Sequence, residues 1–234
     1  MAFNIQTFKT RSLTAVIFVL VMMSCILLHG WAFAALFLFI MMGCLYEFAR
    51  INKLIYANAY VYQLIWAIPY IILPLLMMID LGFAGQLFRE GPGGLQPGGY
   101  SPLMPCAIIF SIWINDTMAY IVGSLIGRTP FSPISPKKTW EGTIGGAILC
   151  IVVISILGAL LPVAQSVPWK QWLIIAAICA VFGTLGDLLE SKLKRMAGVK
   201  DSGSIMPGHG GFLDRFDSLL LATPIVWIYV KLAW

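Results

Sequence analysis

Charge is what this sequence has least of: 11% of its 234 residues are Asp, Glu, Lys or Arg, against roughly 25% in an ordinary globular domain. That scarcity excludes a soluble domain, and it also excludes a disordered chain or a coiled coil, both of which need many polar positions. Histidine is scarce too. His29 and His209 stand far apart, without Cys or Glu partners at zinc-site spacing. The five cysteines (Cys25, Cys44, Cys106, Cys150, Cys179) all lie in apolar runs and form no CxxC or paired pattern, so they read as buried thiols rather than disulfides or metal ligands. There is no Walker-type GxxxxGK(S/T) run, which disfavours a P-loop ATPase, and no internal repeat.

What is abundant is apolar: 60% of residues are hydrophobic and the mean hydropathy is +0.90. Runs of spanning length occur at about Leu13 to Leu28, Trp31 to Phe48, Ala59 to Ile79, Leu103 to Ile126, Thr143 to Leu161, Trp172 to Leu189 and Ser218 to Trp234. At about 20 residues per span, seven spans use about 140 residues. The expectation is an all-α polytopic membrane protein of about seven helices, with any chemistry in the spans or their short loops. The expected organisation is a single integral membrane domain, in which residues 1–100 supply N-terminal helices and a Gly/Pro-rich loop and residues 101–234 supply the C-terminal helices and the loops that carry the candidate residues below. Pro69 and Pro74 should kink the third span. Lys9 and Arg11 before the first run, with Ala32-Phe33-Ala34 after it, have the outline of a cleaved signal peptide. The apolar stretch resumes at once, however, so a retained span is expected.

A net charge of +5 would suggest nucleic acid in a soluble protein, but here the distribution matters more than the sum, and no nucleic-acid partner is expected. With the N-terminus in the cytoplasm, the inner segments carry Lys9, Arg11, Arg50, Lys53, Arg128, Lys137, Lys138, Lys192, Lys194, Arg195, Lys200 and Arg215. The outer side receives only Arg89, Lys170 and Lys231, a strong bias under the positive-inside rule. The C-terminus then faces out, and the Gly- and Pro-rich stretch from Gly82 to Tyr100 reads as an external loop.

Of the ten acidic residues, five (Asp187, Glu190, Asp201, Asp214, Asp217) fall between positions 187 and 217. Asp187, Glu190, Ser191 and Lys194 follow i, i+3, i+4, i+7 spacing and form one polar stripe where the sixth span reaches the cytoplasm. Asp214 and Asp217 fall on the first turn of the last helix, where carboxylates could bind a ligand or simply cap the helix. Between them runs a glycine-rich segment from Lys200 through Asp201, Gly203, Gly208, His209, Gly210 and Gly211. Glycines allow the close backbone approach that phosphates require. The flanking hard carboxylates could hold Mg²⁺, and Lys192, Lys194, Arg195, Lys200 and Arg215 supply positive charge, so the segment reads as a phosphate site. Asp116 sits inside an apolar run, where a carboxylate costs roughly 2.5 to 3.5 kcal/mol on insertion scales, so it is a functional candidate by default. It is about eleven residues, or roughly 16 Å, from the end of its helix, deeper than the expected position of Asp187, Asp214 and Asp217 near the cytoplasmic edge. Beyond that helix, Lys137 and Lys138 either bind phosphate or meet anionic lipid head groups.

The stretch Ser191-Lys192-Leu193-Lys194-Arg195, then Lys200-Asp201-Ser202-Gly203, then Pro207-Gly208-His209-Gly210-Gly211-Phe212-Leu213-Asp214-Arg215-Phe216-Asp217 resembles the signature of the CDP-diacylglycerol synthase (phosphatidate cytidylyltransferase) family. Asn115-Asp116-Thr117-Met118-Ala119-Tyr120 and Ser135-Pro136-Lys137-Lys138-Thr139-Trp140-Glu141-Gly142 resemble that family as well. The likeness covers the C-terminal half, and the N-terminal half contributes only spans. It implies transfer of CMP from CTP to phosphatidate, giving CDP-diacylglycerol and pyrophosphate, in a bacterial inner (cytoplasmic) membrane. It further implies Mg²⁺ on Asp187 and Asp214, with a monovalent cation such as K⁺ beside it, and a homodimer as an available assembly. In that frame Asp187, Asp214, Asp217, Lys194, Arg195, Lys200, Asp201, His209 and Arg215 are the catalytic candidates, His209 orienting a phosphate or protonating the leaving group. Asp116, Lys137, Lys138, Ser191, Gly208, Gly210 and Gly211 are the substrate-binding candidates. Two alternatives stay open: a CTP-dependent lipid kinase, and a transporter whose intramembrane Asp116 lines a pathway.

Overall fold

The computed structural model describes residues 5–83, 99–204 and 210–233, with side chains from Ser12 onward. Its helices are α1 (Ile5–Leu28), α2 (Gly30–Tyr56), the single turn α3 (Tyr60–Gln63), α4 (Leu73–Gly82), α5 (Leu103–Ile126), α6 (Trp140–Leu160), α7 (Trp169–Met196) and α8 (Leu213–Ala233). Five helical stretches are long and apolar enough to cross a membrane: Gly30–Trp66, Leu103–Ile126, Trp140–Leu160, Trp169–Met196 and Leu213–Ala233. Ser12–Leu28 and Ile68–Gly82 are shorter apolar helices. The architecture is that of an all-α polytopic membrane protein.

The core lies where α2, α4, α5, α7 and α8 meet, and it is filled by Phe33, Phe37, Ile71, Leu75, Met78, Ile108, Ile175 and Leu220, all fully buried. Outside it, α6 packs along α5 and α7. Gly142 and Gly146 bring α6 against the backbone of α5, so close that a Cβ on Gly146 would stand 2.7 Å from the Cα of Ala119. Small residues at such a seam let membrane helices gain van der Waals contact where the surrounding hydrocarbon supplies no hydrophobic drive. The opposite face of α6 presents Ile144, Ile148, Val152, Ile156 and Leu160, all exposed at four-residue spacing, a surface suited to lipid tails.

Several expectations are corrected in detail. The helix expected to end at Phe48 runs on to Tyr56, carrying Arg50 and Lys53 as helical residues. The run from Ala59 to Ile79 is not one kinked helix: 3₁₀ turns at Ala57–Ala59 and Leu64–Trp66 flank α3, and a π turn at Ile68–Ile72 precedes α4. Pro69 lies in that π turn and Pro74 opens α4. Each lacks an N–H and crowds the carbonyl four residues back, which loosens the regular ladder. The link from α5 to α6 holds a two-stranded antiparallel hairpin, β1 (Pro130–Ser132) with β2 (Ser135–Thr139), pairing Pro130 with Thr139 and Ser132 with Ser135. Its base is closed by Glu141, which accepts from the backbone N–H of Arg128 (3.1 Å) and Thr129 (3.2 Å) and from the Thr129 hydroxyl (2.8 Å). Thr139 caps α6 by accepting from Gly142 N–H at 3.1 Å. Of the expected external loop, residues 84–98, including Arg89, lie outside the described residues, as do Gly208 and His209.

Far along α8 from its start, Asp80 of α4 is fully buried. It accepts from the Trp227 indole at 2.7 Å and pairs with Lys231 at 3.1 Å, tying α4 to α8.

Candidate active site

The end of α5, the hairpin, the start of α6, the last turns of α7 and the start of α8 converge on one side of the molecule. A cavity of about 440 Å³ opens there, lined by Asn115, Asp116, Ala119, Tyr120, Gly123 and Ser124 of α5, by Ser135, Lys137, Lys138 and Thr139 of β2, by Thr143 of α6, and by Thr184 and Asp187 of α7. Asp116, Lys137 and Lys138 therefore share one cavity with Asp187. The apolar run ends at Leu189, but α7 continues to Met196, and nine residues at 1.5 Å each put Asp187 roughly 14 Å from the helix end.

Asp187 forms an ion pair with Lys138 and accepts from the Ser191 hydroxyl at 3.3 Å. One oxygen each of Asp187, Glu190 and Asp217 lie within 4.8 Å of one another, close enough to ligate a single cation. Glu190 is fully buried; its Oε2 is 2.5 Å from Lys194 Nζ, and its Oε1 has no hydrogen-bond partner among the described residues. Three carboxylates crowded in a low-dielectric setting repel one another unless cations intervene. Hard oxygen donors with an unused lone pair are the donor set a divalent cation takes.

Asp214, expected beside Asp187 as a metal ligand, is committed differently. Its Oδ2 accepts from the backbone N–H of Ser202 and of Gly211, both at 2.8 Å, and lies 2.9 Å from the Ser202 hydroxyl. Its Oδ1 holds Lys194 at 2.6 Å. Asp217 rather than Asp214 stands in the carboxylate group with Asp187, because α8 begins at Leu213 and the loop before it folds back onto its first turn. Lys194 Nζ joins the two sets, touching Glu190 and Asp214 together.

The remaining candidates are more peripheral. Arg195 is exposed and donates to Val199 O at 3.4 Å, at the end of α7. Lys200 and Asp201 are exposed. Arg215 is exposed beside an apolar crevice lined by Phe18, Met22 and Trp113. Gly210 takes a φ of +82°, and a Cβ there would meet Asp214 Oδ2 at 2.5 Å. Gly211, expected at the substrate, is instead buried against Glu47 of α2.

Glu47 is the main residue that sequence reasoning passed over. Its carboxylate accepts from the Ser202 hydroxyl (2.6 Å) and from the backbone N–H of Phe212 and Leu213 (both 2.9 Å). The signal was available: Asp116 lies inside a long apolar run and Glu47 at the edge of one, and such acids find partners or do not persist. Thr184, also lining the cavity, carried no comparable signal, and Asn115 was marked only as part of the stretch around Asp116 that resembles the family.

Comparison with known proteins bears on the same half of the chain. Residues 100–233 match the model of the family described as "Cytidylyltransferase family". A phosphatidate cytidylyltransferase of Bacillus subtilis (strain 168) is 48% identical over 124 residues, covering 52% of this chain and 45% of that protein. Phosphatidate cytidylyltransferase 4, chloroplastic, of Arabidopsis thaliana is 44% identical over 162 residues, covering 64% of this chain and 40% of its own. A phosphatidate cytidylyltransferase of Synechocystis sp. is 45% identical over 128 residues, 52% of this chain and 41% of that one. In each case the chain spans less than half of the relative's length.

Proposed function

The chain belongs to the cytidylyltransferase family, and from that premise we propose that it transfers CMP from CTP to phosphatidate, releasing pyrophosphate and forming CDP-diacylglycerol. The observation that carries the proposal is the 440 Å³ cavity in which Lys137, Lys138, Asp116 and Asp187 meet beside a carboxylate cluster.

In this reading a phosphate oxygen of phosphatidate attacks the α-phosphorus of CTP. A new P–O bond forms, the bond from that phosphorus to the bridging oxygen of the β-phosphate breaks, and pyrophosphate leaves with the electron pair. The nucleophile is anionic near neutral pH, so no strong general base is needed, and the barrier is mainly repulsion between two polyanions. Lys137 and Lys138 present positive charge to the cavity, and Lys138 is held in place by Asp187. Lys194, gripped between Glu190 and Asp214, is available to a phosphate at the other side of the cluster.

We further propose that Asp187 and Asp217, with Glu190, hold Mg²⁺, and that Asp214 offers its Oδ1 where Lys194 now sits. The crowding of the three carboxylates and a Glu190 Oε1 without a hydrogen-bond partner among the described residues support this fit. Bound there, Mg²⁺ would neutralise charge on the α-phosphate and the leaving pyrophosphate. A monovalent cation such as K⁺ beside it, a homodimeric assembly, a cytoplasmic N-terminus and residence in a bacterial inner membrane complete the proposal.

The test uses detergent-purified protein with phosphatidate and CTP labelled at the α-phosphate, in Mg²⁺ or EDTA. Mg²⁺-dependent label in the lipid with pyrophosphate release is the expected result. Phosphorylated lipid with CDP as the second product would identify a lipid kinase instead, and no transfer to any lipid acceptor would overturn the proposal.

A further inference from the structure

Three residues on one face of α2, Phe39, Gly43 and Glu47, are spaced four apart and all meet the same corner of chain at the start of α8. The Phe212 ring packs edge-on to Phe39 with centroids 5.5 Å apart. It also lies so tightly over Gly43 that a Cβ there would fall on the ring. One turn further on, Glu47 receives the N–H groups of Phe212 and Leu213, two of the donors that the first turn of a helix leaves without intrahelical partners. A buried carboxylate is tolerated only when its lone pairs are filled, and Glu47, 1% exposed, is filled by these two amides and the Ser202 hydroxyl.

The same carboxylate closes the loop at both ends, since Ser202 precedes it and Phe212 follows it. Gly203 and Gly211 flank Glu47 so closely that a Cβ on either would overlap its oxygens. Two glycines that read in the sequence as phosphate-cradling positions are thus packed on a carboxylate from the other half of the molecule. The Ser202 hydroxyl lies between Glu47 Oε2 at 2.6 Å and Asp214 Oδ2 at 2.9 Å. It has one proton to give. Asp214 Oδ2 already receives two backbone N–H groups, so the shorter contact takes the proton, and Asp214 is held by the amides that Glu47 keeps in position.

We propose that Glu47 is a positioning residue for the transfer reaction: it ties Ser202 and Gly203 to Gly211, Phe212 and Leu213 and, through Ser202, sets the orientation of Asp214 and of the Lys194 that Asp214 holds. The proposal rests on the functional reading above for its catalytic part, and its anchoring part stands on geometry alone. It also places one determinant of the site outside residues 100–233, the portion that matches the family model.

The experiment compares the full-length wild type with Glu47→Gln, which keeps size but places an amide group against an N–H donor, and with Gly203→Ala, which presses on the same carboxylate from the loop side. Amide hydrogen exchange is followed by mass spectrometry, and turnover by the labelled-CTP assay. Both variants should exchange at least tenfold faster in peptides covering 202–214, with peptides of α5 and α6 unchanged. Turnover in both should show kcat lowered roughly 10- to 100-fold, the loss expected of a displaced charge-assisted contact, with KM for phosphatidate within about threefold. Ser202→Ala added to Glu47→Gln should cost little more, because residues acting through one contact are non-additive. Unchanged exchange at 202–214 would overturn the anchoring. Faster exchange with wild-type kcat, or full additivity with Ser202→Ala, would overturn the positioning role. A wild type that transfers no label would refute the functional reading, and the exchange result would still decide the anchoring.

Discussion

Lys138, the penultimate residue of the hairpin's second strand, is ion-paired with Asp187 in the interior of α7. The contact brings together two positions 49 apart in sequence and draws the hairpin over the cavity. Each side chain is about one quarter exposed, at 28% and 26%, so the pair is partly open to ligand. A lysine held this way has given up part of its conformational freedom before a phosphate arrives, which lowers the cost of using it.

Lys138→Ala should therefore weaken use of the nucleotide more than folding. The loss of one charge-assisted contact predicts a fall in kcat/KM for CTP of roughly 10- to 100-fold. Steady-state kinetics with varied CTP checks this, and an unchanged kcat/KM would remove Lys138 from the site.

Asp214→Asn separates two roles. The amide oxygen can still accept from the Ser202 and Gly211 N–H groups, so the loop and helix start should survive, while Lys194 loses a charged partner and any cation loses a ligand. Mg²⁺-dependent turnover is expected to fall roughly 100-fold or more, with chromatographic behaviour in detergent unchanged. Normal activity would refute both the metal and the lysine-holding role.

Gly146→Ala tests the α5–α6 seam. A Cβ there meets the backbone and side chain of Ala119 at 2.7 Å, and Ala119 lines the cavity. Overpacking of this kind costs about 1–3 kcal/mol, seen as a lowered thermal midpoint in detergent. Ile148→Ala, on the exposed face of the same helix, should stay within about 0.5 kcal/mol of wild type. Equal effects from the two would show that the seam is not tightly packed.

Much of this was legible in the chain itself. Spans, charge asymmetry and the crowding of acids between Asp187 and Asp217 are local or compositional properties, set by the insolubility of a bare backbone and unpaired charge in hydrocarbon. They hold whatever the helices pack against. The same reasoning marked Asp116 and would have marked Glu47 and Asp80, each an acid within or beside an apolar run.

Only the tertiary structure could decide partners. Spacing in the sequence sets Asp214 and Asp217 on one helix turn, and the resemblance implies Asp187 and Asp214 as the metal pair; packing of α7 on α8 brings Asp217 close to Asp187 and leaves Asp214 Oδ2 to the returning loop. It likewise assigns Gly203 and Gly211 to a carboxylate on α2, about 160 residues away in the chain, rather than to a ligand. Sequence spacing reports which residues share a face of one helix. Which face of another helix they meet depends on how close the backbones come at Gly142 and Gly146 and how closely the Phe212 ring lies over Gly43, and that is set by the summed packing of all the helices at once.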